Sequence, residues 1–313
     1  MSTITQSPPG RPAATTRPSR RSNVRRGEQR AAWLFLTPSL VVLAVFLFWP
    51  MIQAGYLSFT DYSLLQPAHW IGTANYRRLI DDEAARNALR NTAVYTLIST
   101  PLSVGLALGI AVMLNTRIPL RGFLRTAVFL PFVLSLSIVS IAWSFLLDPN
   151  LGMLSDWLHG LGLVTEQGLL TDPQWAMPAV IAVGIWKNVG FYMLMYLAGL
   201  QGIPAEMYEA ARVDGAGRLR RFRSITWPLL SNQTMLITVI ATITNIQAFD
   251  QIYVMTQGGP FFKTETIVPL IYRSGFSNLQ FGYAAAISWV LTGLILLVAL
   301  CQVAYFRRRA VQY

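Results

Sequence analysis

Side chains able to do covalent or metal chemistry are scarce and scattered in this chain. Its 313 residues include one cysteine, Cys301, and two histidines, His69 and His159, far apart and without ligand-like neighbours. An intrachain disulfide or a cysteine-cluster metal site cannot be built from these. The sequence therefore points to no catalytic residue, no metal and no cofactor. Neither lysine, Lys187 or Lys263, ends a G-x-x-x-x-G-K-[ST] run, so no phosphate loop is present. What remains is binding chemistry. Ser231, Thr234, Thr238, Thr242, Asn245 and Phe249 recur at three- and four-residue spacing, on one face of a helix. Such a row of hydroxyl and amide groups suits a polyhydroxylated solute; it equally suits hydrogen bonding between packed helices. Lys187-Asn188 places a charge and an amide inside another apolar run. A charge at bilayer depth costs at least ~2.5–3.5 kcal/mol, so Lys187 must face a bundle interior or a wet cavity. Asp250 is the only acid in an apolar run, but helix rise puts it about 12 Å from the depth of Lys187. Asn188, backbone carbonyls or water are the expected partners of Lys187.

The elements that hold these residues read as membrane spans. The chain is 53% hydrophobic and only 12% charged, where a soluble domain carries about 25% charge. That composition argues against an ordinary soluble enzyme. A bilayer core requires about 20 apolar residues in helix. Six stretches qualify, at about 31–52, 92–114, 123–147, 176–200, 229–254 and 281–306. The expected fold is all-α and polytopic, with six transmembrane helices. Trp33 and Trp49 flank the first as interfacial anchors do. Gly105 and Gly109 give the second a G-x-x-x-G face for close helix contact.

The net charge of +11 is distributed unevenly. Eighteen basic residues fall in the N-terminal segment, the loops between stretches 2 and 3 and between 4 and 5, and the tail; the alternate loops hold six. By the positive-inside rule both termini and the 201–228 loop are cytoplasmic. The basic residues alternate with spans and form no continuous patch, so nucleic acid is not an expected partner. Residues 1–30, rich in Pro, Ser, Thr and Arg, read as a disordered basic arm, and 31–313 as the membrane domain. Ser19-Arg20-Arg21 is a weak twin-arginine match; the long apolar run after it, with Pro38, reads as a retained span.

The 206–230 loop is the most informative segment. Pro204 suits a helix start, and Asp214-Gly215 marks a turn. Leu219, Phe222 and Ile225 give the following basic stretch an apolar side. Two short helices around a glycine turn are expected. Ala210 and Ala211 are small enough for another surface to approach the backbone. The loop suits docking of a cytoplasmic partner; a merely solvated basic loop is the plainer alternative.

Glu209-Ala210-Ala211, three residues, Gly215, nine residues, Ile225, one residue and Trp227-Pro228 resemble the EAA signature of ABC-importer permeases. Trp227 replaces the usual Leu. Asp214-Gly215-Ala216 resembles the DGA of the carbohydrate branch. Asn75-Tyr76, Asn91-Thr92, Leu130-Pro131, Trp186-Lys187-Asn188, the stretch Ala198 to Pro204, and Tyr253 to Pro260 are similar to the sugar-permease subfamily. The resemblance covers roughly residues 30 to 310 and implies a type I importer half. Its implied partners are a second permease, usually a different chain, two cytoplasmic ATPase subunits and an extracytoplasmic solute-binding protein, with membrane lipid around the spans.

By that resemblance Glu209, Ala210, Ala211, Asp214, Gly215, Ala216, Ile225 and Pro228 couple to the ATPase. Thr234, Thr238, Thr242, Asn245, Lys187 and Asn188 are expected along the solute path. The turn Gly258-Gly259-Pro260 is expected at the binding-protein face. The implied solute is carbohydrate-like, or else another such as glycerol phosphate; ATP hydrolysis belongs to a partner, so the chain is not itself an enzyme. A secondary transporter would show internal repeats and intramembrane acids. A membrane enzyme would need clustered His, Asp, Glu or Cys. Neither pattern is evident in the sequence.

Overall fold

The structure, a computed structural model, describes residues 21–116, 119–160 and 168–307, without the side chains of 21–31, Leu158 and Arg307. Residues 1–20 of the expected arm, together with Arg117, Glu166, Arg308 and Arg309, lie outside these. The chain divides into two compact units, Met1–Gln53 and Ala54–Tyr313. In the first, one helix opens at Arg21, so residues 21–30 are helical and not irregular. Arg, Glu, Gln and Ala favour helix, which accounts for the earlier start.

Among the described residues, five helices are long and apolar enough to cross a membrane: Ala32–Leu57, Glu83–Leu114, Ala176–Gln201, Ser231–Met255 and Phe281–Phe306. The pair Arg121–Val133 and Leu136–Leu146, bent by 98° at its break, meets the same criterion only when taken together; counted as one span, it is the third of six. The second span begins earlier than its apolar stretch because Asp82 caps it, accepting from the Ala84 N–H at 2.9 Å.

The fourth span is the most buried and forms the centre of the second unit. It packs on the second span and on the first half of the third. Small residues permit this. A Cβ at Gly190 would overlap the carbonyl of Val128, and one at Gly184 the hydroxyl of Tyr95. Tyr95, Tyr192, Tyr196 and Met193 fill the space around these contacts.

Two spans expected as single helices are broken. In the third, Pro131 removes a backbone donor, and Leu134 and Ser135 turn extended. In the fifth, the helix stops at Ile246 and resumes at Asp250. Thr266 Oγ1 donates to the Ala248 carbonyl freed there, at 3.0 Å. Between the fourth and fifth spans lie the helix Ala205–Val213, the turn Arg218–Arg221 and a wider turn Phe222–Thr226, as the glycine punctuation indicated.

Candidate functional site

The 205–226 loop is built around Gly215, whose φ is +73°. The Ala216 N–H donates to the Ala211 carbonyl at 2.9 Å, and the Gly215 N–H to the Arg212 carbonyl at 3.0 Å. This pair of bonds closes a helix through a left-handed residue, which glycine adopts without steric cost. A Cβ at Gly215 would meet no atom within 4 Å, so its backbone angle is the constraint. Glu209, Ala210 and Asp214 are exposed; Ala211, Ala216, Ile225 and Pro228 are half-buried. Val213 is 88% exposed and Leu219 69% exposed, which leaves apolar groups standing out beside the acidic and basic ones. The Tyr208 hydroxyl lies 3.0 Å from Thr226 Oγ1 and joins the first loop helix to the segment entering the fifth span.

The fifth-span stripe faces the second and sixth spans. Thr234, Thr238 and Thr242 line an open cavity of about 790 Å³ with Thr92, Thr96 and Thr100 of the second span. Asn245 is buried and its Nδ2 donates to Thr100 Oγ1 at 2.9 Å. Gln302 Nε2 donates to Thr242 Oγ1 at 2.8 Å. Thr242 and Asn245 thus hold helices together, while Thr238 stays within reach of the cavity. Thr244 and Gln247 lie off this stripe and are exposed. Sequence reading passed over them because it followed one face; polar residues three apart were the available signal.

Lys187 is 6% exposed. Its Nζ donates to the Phe132 carbonyl at 2.7 Å and lies 5.1 Å from the centre of the Phe132 ring. Phe132 is in the last turn before the third-span bend, where carbonyls lack helical partners and a cation is favoured. Asn188 Nδ2 donates to the Gly184 carbonyl at 3.0 Å. Asp250 accepts from Ser137 Oγ at 3.2 Å. Lys187 therefore pairs with a backbone carbonyl, one of its three expected kinds of partner.

The segment after the fifth span is clamped at several points. Gly258 has φ of +83° and the Gly259–Pro260 bond is cis. Thr264 Oγ1 donates to the Gly259 carbonyl at 2.7 Å. Asn87 and Asn91 both donate to the Phe262 carbonyl, at 2.8 and 2.9 Å. Buried Glu265 takes two bonds from Arg273, at 2.7 and 2.9 Å, and these hold the guanidinium above its ordinary pKa. From this clamped base Phe261 projects 83% exposed. The sequence marked the glycines and Asn91 but gave no sign of the Phe261 projection or of the ion pair.

Comparison with known proteins agrees with the fold. Residues 103–311 match the model of the binding-protein-dependent transport system inner membrane component family. A probable ABC transporter permease protein of Pyrococcus horikoshii is 36% identical over 269 residues, 85% of this chain and 92% of its own length. The sulfoquinovosyl glycerol transport system permease SmoG of Agrobacterium fabrum is 34% identical over 276 residues, 87% of this chain and 89% of its own. A bacterial alginate ABC transporter, solved in complex with an alginate pentasaccharide-bound periplasmic protein, contains a chain similar to this one. The TM-score is 0.79 at 27% identity, covering 92% of this chain and 96% of that one. The chain is therefore a multi-pass membrane protein of the binding-protein-dependent transport system inner membrane component family.

Proposed function

We propose that this chain forms half of the path for a carbohydrate-like solute in an ATP-driven importer, with nucleotide hydrolysis on separate cytoplasmic subunits. The observation that carries the coupling part is the 205–226 loop: a glycine-closed helix with Glu209, Ala210 and Val213 exposed beside one another. Small and apolar groups next to an acid suit a groove on a second protein. The Tyr208–Thr226 contact gives that helix a direct link to the fifth span. Two ATPase subunits and a second, different permease complete the assembly. The carbohydrate part rests on the relatives, since SmoG and the alginate importer both handle sugars; glycerol phosphate is the competing solute. The fifth span lines the path on one of two faces, Thr238 in its cavity or Thr244 and Gln247 on its exposed edge, with Asn188 on the fourth span.

On the outer side of the proposed topology, Gly258-Gly259-Pro260 and the projecting Phe261 form the face for the solute-binding protein. A rigid loop that presents one exposed phenyl group loses little entropy on docking. Capture from detergent extracts tests both faces. Gly215→Val costs ~1 kcal/mol or more at its positive φ, and Glu209→Lys reverses a contact charge. Both variants are expected to insert at normal abundance and to lose the ATPase subunit while keeping the binding protein. Phe261→Ser is expected to do the opposite. Wild-type capture of both partners by all three variants would show that neither face has the assigned role.

A further inference from the structure

We propose that a second pocket, on the outer side of the proposed topology, is a carbohydrate subsite at the entrance to the path. The inference rests on the carbohydrate reading above and adds a site to it. The pocket holds about 420 Å³ between the 61–78 segment and the start of the sixth span. Asp61, Tyr62, Arg78 and Gln280 supply its chemistry.

The walls are fixed before any ligand arrives. Arg78 lies 4.1 Å above the Tyr283 ring, and its Nη2 donates to Gln280 Oε1 at 2.9 Å. Asp61 Oδ1 accepts from the His69 N–H at 2.8 Å. Asn75 spends its amide on the Ser58 and Thr60 carbonyls, at 2.9 and 2.8 Å, and so holds the wall in place. A bridge between Ser63 and Gln280 ties the two sides together. A guanidinium has five donors and a carboxylate about four acceptor positions, so these single bonds leave most of both groups for a ligand. An arginine and an aspartate at one pocket match neighbouring hydroxyls, each of which both donates and accepts.

One wall leads onward. Tyr62 lies 5.9 Å from Phe281, Phe281 5.7 Å from Phe276, Phe276 5.2 Å from Tyr272, and Tyr272 5.1 Å from Tyr253. Phe276, Tyr272 and Tyr253 are exposed. This row starts at the pocket and reaches the fifth span at Tyr253. A pyranose has an apolar C–H face and a polar hydroxyl edge. Aromatic rings take the first, and Asp61 and Arg78, each lining the pocket, take the second. Interfacial aromatic belts also gather rings at a membrane surface, but a belt has no use for a preset aspartate and arginine at its end.

The test uses the permease–ATPase complex in nanodiscs, without binding protein. Protein aromatic protons are saturated, and transfer to lactose, maltose and glycerol 3-phosphate is read by NMR. The ring C–H protons of a disaccharide should receive saturation and glycerol 3-phosphate should not. Asp61→Asn should weaken the disaccharide signal by about tenfold, the scale of one lost charge-assisted bond, and Tyr62→Leu should weaken it by removing the aromatic face. Undiminished ATPase capture by these variants checks their folding. Absent transfer in the wild type, equal transfer in the variants, or transfer to lipid chains alone overturns the subsite. Uptake of the same sugars by the complete importer separates the two ideas. Uptake without transfer overturns the subsite only, whereas uptake of glycerol 3-phosphate alone overturns the carbohydrate reading and the subsite with it.

Discussion

Lys187 shows how one side chain can be fixed by a break in another helix. A lysine at bilayer depth needs an acceptor, and the bend after Val133 frees the Phe132 carbonyl to be that acceptor at 2.7 Å. The positive charge then sits at the end of a helix, where the dipole favours it. That a backbone carbonyl was a suitable partner could be read from the residue's depth. Which carbonyl could not, because the bend lies 55 residues away in sequence. Replacing Lys187 by Met keeps most of the volume but strands a buried carbonyl, at a cost of about 1–3 kcal/mol. The expected result is a lower thermal midpoint for the purified permease, with the complex still assembled at low temperature. Asp250→Asn should leave the midpoint near the wild type, since Asp250 contacts Ser137 and not Lys187. Equal losses in the two variants would mean that the lysine and the aspartate act as a pair after all.

Elements were legible where periodicity or punctuation set them. The long apolar runs gave the spans, and Asp214-Gly215 gave the loop its turn. The fifth span was legible as one stripe but not as a helix that stops at Ile246. No proline or glycine marks Gln247 to Phe249. The break is held from outside, by Thr266 on the Ala248 carbonyl, and a contact between distant segments leaves no local pattern. The break also bears on the proposed path, because exposed Gln247 sits at it while buried Asn245 faces away towards Thr100. Two substitutions assign the working face. Thr238→Leu fills the cavity side, and Gln247→Leu removes the amide from the exposed edge. If helix packing is all that the threonine stripe does, Thr238→Leu leaves solute uptake near normal and Gln247→Leu lowers it. Loss in Thr238→Leu with ATPase capture intact would place the solute in the 790 Å³ cavity. Normal uptake in both would remove the fifth span from the path.

At the scale of the molecule, the proposed orientation of the spans rests on charge. The family match establishes a multi-pass membrane protein, and the fold is the same whichever end faces the cytoplasm. Orientation comes from where the basic residues fall: eighteen on one set of loops and six on the other. That asymmetry acts during insertion, through loops too short to cross independently of their charge. On the proposed topology it sets the 205–226 loop on the side of the proposed ATPase contact and Phe261 on the side of the proposed binding-protein contact, so both proposed docking faces depend on it. The glycines at 105 and 109 remain open for a neighbour: a Cβ at either meets nothing within 4 Å in this chain. They suit close contact with another helix of the assembly, which a single chain's sequence marks but does not identify. Reporter fusions read the orientation directly. A reporter active only in the cytoplasm, fused after Gln312, should be active, and the same reporter after Asp156 should be silent. Activity at Asp156 and silence at Gln312 would invert the bundle. The EAA-like loop would then face away from any source of ATP, and the coupling proposal would fail together with the outer subsite, even though every helix kept its place.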